Sequence, residues 1–272
     1  MPSVFVWHHA AVAGLLAQFG AHLYNLRHER TISQNVAPMT TDPIARGKAK
    51  YPPVAAALRE RYGVPEWRQH LPPLDELVST ILSQSTSDTN RDRGFYALKA
   101  RYPNWEAVRD APLDDIIATI RPAGLANQKG PRIQEVLRRI SEERGELNID
   151  FLAELPLEEA RAWLTRLNGI GPKTAAIILL FAFNRPAFPV DTHVHRLSKR
   201  IGFIGPKVSA EKAHAIMEQI VPPEDYYVFH LNLIQHGREI CLARGPRCPE
   251  CPLQAHCDDY QSRQNGKTRH SG

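Results

Sequence analysis

Six residues of this 272-residue chain have the types and spacing to do chemistry: one lysine, one aspartate and four cysteines. Lys173 follows Gly171-Pro172 at the start of an apolar helical run. An ammonium in the first turn of a helix meets partial positive charge, and burial in a pocket would disfavour it further. The spacing therefore predicts a neutral amine able to act as a nucleophile. Asp191, in PVDTHVHRL, stands just before another helix, where backbone N–H groups keep a carboxylate ionised, the form needed beside a developing cation. Each residue alone has a plainer reading, a solvated surface lysine and an N-cap aspartate.

The cysteines are Cys241, Cys248, Cys251 and Cys257, a C-x6-C-x2-C-x5-C array with no cysteine elsewhere. A secreted disulfide framework would spread its cysteines along the chain. Clustering in one short loop points instead to four thiolates enveloping a metal centre. An iron–sulfur cluster and structural zinc both take four cysteines. Zinc sites usually pair two C-x2-C knuckles, and this loop has one.

Between Leu164 and Leu180 the chain reads LTRLNGIGPKTAAIILL. One helix ends, Gly169-Ile170-Gly171 makes a tight turn, and a second helix begins near Pro172. Glycines suit such a turn, and N–H groups beside a helix N-terminus form an anion site fit for a phosphate. Ile170 would plug back between the helices. A helix–turn–helix corner with a glycine cap fits this stretch equally well.

These residues must be held by helices. VAAALRERYG, LDELVSTILSQ, TNRDRGFYALKARY, LDDIIATIRPAG, GPRIQEVLRRISEERG and LEEARAWLTRL each place apolar residues at helical spacing, separated by Pro or Gly. IILLFAF is too continuous for an amphipathic strand and reads as a helix buried on all sides. The expected fold is all-α. Apolar residues make up 43% of the chain, enough for a substantial core, and no run is long enough to span a membrane. The net charge of +5 suits a polyanionic partner, nucleic acid or an anionic membrane. Residues 1–45 are expected to be a dispensable or disordered extension, with Met39 reading as a natural start. The polar stretch 258–272 is expected to be a disordered tail.

GIGPKTA, then VDTHVHR, then the cysteine array resemble, in order, the motifs of the endonuclease III family of helix-hairpin-helix DNA glycosylases. The resemblance spans roughly residues 50–257, with Asn168 where a proline is common and Pro172 where a basic residue is often found. It implies two helical lobes, residues 66–184 ending in the hairpin, and 46–65 with 185–257 carrying one structural [4Fe-4S] cluster on the four cysteines. It implies a monomeric, intracellular (cytoplasmic, nucleoid-associated) base-excision repair enzyme acting on double-stranded DNA with a damaged base or abasic site. In that role Lys173 is the Schiff-base nucleophile and Asp191 the catalytic carboxylate, with oxidised pyrimidines the default substrate.

A glycosylase must also extrude its nucleotide and fill the gap left behind. The resemblance makes Gln84, at a helix end, the residue entering the vacated space, and Leu125 after Gly124 the wedge on the opposite strand. Either could instead be ordinary, a polar helix terminus or a core anchor. His193 lines the pocket or supports the start of its helix, and His236 is read as structural. Arg244 and Arg247, with Gly169, Ile170 and Gly171, would meet phosphates. The alternatives are a monofunctional mismatch (uracil or thymine) glycosylase, a non-catalytic DNA-binding module, and an electron-transfer protein, for which the helical body is far larger than needed.

Overall fold

The computed structural model describes residues 42–268, which form twelve α-helices joined by loops and short 3-10 turns, with no strand among the described residues. Two separate hydrophobic cores organise them. The first is built by α2 (Pro73–Ser83), α3 (Asp88–Arg101), α4 (Trp105–Asp110), α5 (Leu113–Ile120), α6 (Ala126–Arg144) and α7 (Leu157–Thr165). Leu77, Ile81, Leu98, Ile116, Ile133, Leu137 and Leu164 are fully buried there. The second is built by α1 (Pro43–Tyr62), α9 (Thr192–Ile201), α10 (Ala210–Ile220) and α11 (Tyr226–Glu239), around Val54, Leu58, Val194, Leu197, Met217 and Leu233.

Helix α8 (Pro172–Phe183) belongs to both cores, as its continuous apolar run requires. Ile178 and Leu179 enter the first and Leu180 the second. A helix with apolar residues all round is stable only when covered on every side, so α8 holds the two cores against each other.

Two elements differ from the sequence reading. Helix α1 begins at Pro43, capped by the Asp42 side chain on Ile44 N–H, and runs through Pro52 and Pro53 ahead of the VAAALRERYG stretch read as helical. Burial of Tyr51, Val54 and Leu58 along one face outweighs the backbone bonds the prolines forgo. The expectation of a dispensable extension over 1–45 lies outside the described residues, apart from 42–45. The expected disordered tail is corrected in its first part: Asp258–Thr268 form a helix, α12. Two aspartates in its first turn suit the helix dipole, and Lys50 joins the Asp258 carboxylate to Ile201 O. Gly202 ends α9 at φ +96°, and its missing Cβ leaves the space that the Asp258 carboxylate occupies.

Candidate DNA-repair active site

The turn between α7 and α8 is tight at one glycine only. Gly169 has φ +77°, and a Cβ there would lie 2.1 Å from Arg132 Nε. Gly171 is extended (φ −91°, ψ −180°) and faces open space. Ile170 is buried in the first core as the plug between the helices, while Gly169, Gly171 and Pro172 stay exposed. An exposed glycine turn at a helix N-terminus can approach a phosphate closely.

Lys173 lies in the first turn of α8 but is exposed. The burial expected to disfavour its ammonium is absent in the free protein. Asp191 caps α9, half-buried, and its Oδ1 accepts the Val194 N–H at 2.7 Å.

The peptide two residues before Asp191 rests on His230 of α11, 2% exposed and packed against the Phe181 and Phe188 rings. Burial pushes its pKa down to about 4, with Asp191 pulling it up and Lys173 pushing it down. His230 Nδ1 donates to Pro189 O at 3.0 Å, so the neutral ring carries its proton on Nδ1. One residue back, buried His214 of α10 donates from Nδ1 to Phe188 O at 2.9 Å. The Glu218 carboxylate accepts the Phe188 N–H at 2.9 Å and pairs with Arg161 at 2.9 Å. The segment entering Asp191 is thus clamped at consecutive peptide groups from two helices, α10 and α11. Sequence reasoning missed both histidines, whose only signal is a polar residue on an otherwise apolar face.

Helix α9 also reaches the cysteine loop. Arg196 contacts His193 Nδ1 at 3.1 Å and donates to Gly237 O at 2.8 Å and Cys241 O at 3.0 Å. His193, half-buried, is thereby tied to the scaffold. Arg200 donates to Cys241 Sγ at 3.3 Å and Leu242 O at 2.7 Å. His236, 1% exposed, lies 3.0 Å from Tyr62 Oη and 3.4 Å from Cys251 Sγ. All four cysteines are unbridged and line one small pocket with Ile240 and Pro246. Burial holds the Cys251 thiol up at about 11 and raises Cys257 as well. No three His, Cys, Asp or Glu side chains among the described residues are gathered closely enough to hold a single metal ion. Four sulfurs lining one pocket, with a guanidinium aimed at one of them, suit a thiolate-held iron–sulfur cluster. Arg244 and Arg247 are exposed on the same loop, Arg247 with Glu250 at 3.7 Å.

Gln84 and Leu125 stand at the edge of the first core. Gln84 ends α2; its Oε1 accepts from Arg132 at 2.6 Å and its Nε2 donates to Gly169 O at 3.1 Å. Leu125 is 48% exposed at φ +49°, so it is no core anchor. Ser85, next to Gln84, is likewise at positive φ (+53°). Strained non-glycine backbone at both places is the kind of cost that functional sites carry.

An all-helical scaffold presenting a hairpin turn, a capped carboxylate and a four-cysteine loop defines a helix-hairpin-helix repair protein. Residues 78–223 match the family model described as HhH-GPD superfamily base excision DNA repair protein. Endonuclease III of Thermotoga maritima is 34% identical over 197 residues, covering 72% of this chain and 88% of the relative. That of Bacillus subtilis is 36% identical over 194 residues, covering 71% and 84%. A longer relative in Arabidopsis thaliana is 36% identical over 168 residues, and this chain spans 57% of it. A solved non-covalent endonuclease III–DNA complex superposes with a TM-score of 0.67 at 28% identity, over 78% of this chain and 95% of that one. The chain belongs to the endonuclease III family of the HhH-GPD superfamily and is a base-excision repair glycosylase of that type. Among the described residues no helix is long and apolar enough to cross a membrane.

Proposed function

We propose that the protein is a bifunctional DNA N-glycosylase and AP lyase that removes damaged, oxidised pyrimidines from duplex DNA and cleaves 3′ to the abasic site. The observation that carries this reading is Lys173 itself, exposed in the first turn of α8 directly after the glycine turn. Asp191, half-buried at the N-cap of α9, supplies the carboxylate.

Lys173 is solvated in the free protein, so DNA seated on the hairpin must exclude water from it. Asp191 takes the proton that the ammonium loses, passes it to the departing base and, ionised again, faces the positive charge growing at the sugar. The Lys173 amine then bonds to C1′ while the C1′–N bond breaks, and the base leaves with a proton. Opening of the C1′–O4′ bond gives the Schiff base, which acidifies the 2′ hydrogen. Loss of that proton expels the 3′ phosphate, and hydrolysis of the imine frees Lys173.

Backbone groups at Gly169, Ile170 and Gly171 hold phosphate, Arg244 and Arg247 add salt-sensitive contacts, and His193 supports the pocket. Gln84 fills the vacated stack and Leu125 wedges the opposite strand. Cys241, Cys248, Cys251 and Cys257 would hold a [4Fe-4S] cluster, which supplies structure to the loop bearing the two arginines.

Single-turnover assays on duplexes containing thymine glycol or an abasic site test this reading. Wild type is expected to nick the lesion-bearing strand of both duplexes, and Lys173→Ala that of neither. Base release without strand cleavage by wild type would leave a monofunctional glycosylase, and binding without either a DNA-binding module.

A further inference from the structure

Lys129, in the first turn of α6, is 1% exposed. Its ammonium has no carboxylate partner among the described ion pairs. Instead Nζ donates to Leu82 O at 2.7 Å and to Ala123 O at 2.8 Å. Burying a cation among apolar helices is unfavourable, and desolvation lowers its pKa. A hydrophobic residue could fill that volume without the cost if only packing were at stake, provided the two carbonyls found other partners.

The two carbonyls have matching positions in the chain. Leu82 lies two residues before Gln84, and Ala123 two residues before Leu125. Both segments then turn through positive φ, at Ser85 on one side and at Gly124 and Leu125 on the other. One turn further along α6, Arg132 holds the Gln84 side chain, whose amide reaches Gly169 O. The start of α6 therefore ties together the Gln84 loop, the Leu125 loop and the hairpin.

We infer that Lys129 is a positioning residue for nucleotide extrusion: its ammonium, bridging the Leu82 and Ala123 carbonyls, sets the gap between Gln84 and Leu125 so that both enter the duplex in register. This rests on the roles proposed above for those two residues. Lys129 touches no reacting atom, and its effect passes through the two probes.

The test uses full-length enzyme and an abasic site, placed either in a duplex with 2-aminopurine beside it or in a single strand with no stack to open. Lys129→Met is expected to suppress the 2-aminopurine fluorescence rise and slow duplex cleavage tenfold or more, leaving single-strand cleavage within about twofold. In a Gln84→Ala/Leu125→Ala background, Lys129→Met is expected to add less than twofold, because the parts it positions are gone. Lys129→Gln, which keeps an amide donor, carries the same cycle if the methionine variant does not fold. Equal losses on duplex and single strand, or full additivity with the double variant, would overturn the inference. If the double variant itself matches wild type on the duplex, the probe roles fail instead. If wild type cleaves neither DNA, the lyase reading fails.

Discussion

Gly169→Ala perturbs the hairpin where backbone and side-chain constraints coincide. The residue sits at φ +77°, a region that costs an L-residue about 1–2 kcal/mol. The added methyl would overlap Arg132, whose Nε is 2.1 Å from the ideal Cβ position. The guanidinium can swing away, but only by giving up its 2.6 Å hydrogen bond to Gln84. That bond is partly solvated, so its loss adds about 0.5–1 kcal/mol. The total is about 1.5–3 kcal/mol, a fall in Tm of roughly 3–12 °C for a domain of this size. Gly171→Ala is the internal control, since Gly171 is extended with nothing within 4 Å. Its Tm is expected to stay within about 1 °C, while the methyl stands between backbone and phosphate and weakens duplex binding about tenfold. Thermal melts and fluorescence-anisotropy titrations on an abasic-analogue duplex read both effects. An unchanged Tm for Gly169→Ala, or equal destabilisation by the two alanines, would refute the reasoning.

Three further expectations follow from the same geometry. His230 has its pKa lowered from 6.5 to about 4, so its contribution to stability is complete above pH 6.5 and is lost as pH falls toward 4. At 1.36 kcal/mol per unit this amounts to about 3 kcal/mol, and His230→Gln should flatten that part of a stability–pH curve measured by urea unfolding; an unchanged slope would contradict it. Arg244→Ala and Arg247→Ala should each reduce the slope of log affinity against log salt by about 0.9 without changing lesion preference; a loss confined to one lesion would count against phosphate contact. Cys251→Ser should lower bound iron and visible absorbance together, with far-UV circular dichroism showing the helices of the first core retained; full iron content would remove Cys251 from the ligand set.

Much of the site was legible because its chemistry is local in sequence. The cysteine spacing, the glycine hairpin and the aspartate cap are short motifs whose geometry follows from residue type. The exposure of Lys173 was not legible, because the polar start of α8 projects beyond the core that its apolar remainder enters. Lys129 reads as one more charge in ANQKGPRIQEV, and only tertiary packing turns it inward onto carbonyls from two distant loops. His214 and His230 stayed hidden for a similar reason: their partners, Phe188 O and Pro189 O, lie 26 and 41 residues away. The start of α1 at Pro43 was not legible, because Pro52 and Pro53 carry a local cost to a helix while the burial that offsets it is not visible in sequence. The polar composition of α12 likewise conceals its anchor, Lys50, which lies 208 residues from Asp258.

The mechanism turns on a covalent bond from Lys173 to C1′ of the damaged nucleotide. Borohydride reduction during turnover on an abasic-site duplex, followed by peptide mapping of the adduct by mass spectrometry, detects that bond. A trapped complex with DNA on the peptide containing Lys173 is expected, and none with Lys173→Ala in protein of normal iron content. No adduct from wild type, or an adduct mapped to another amine and undiminished in Lys173→Ala, would contradict it.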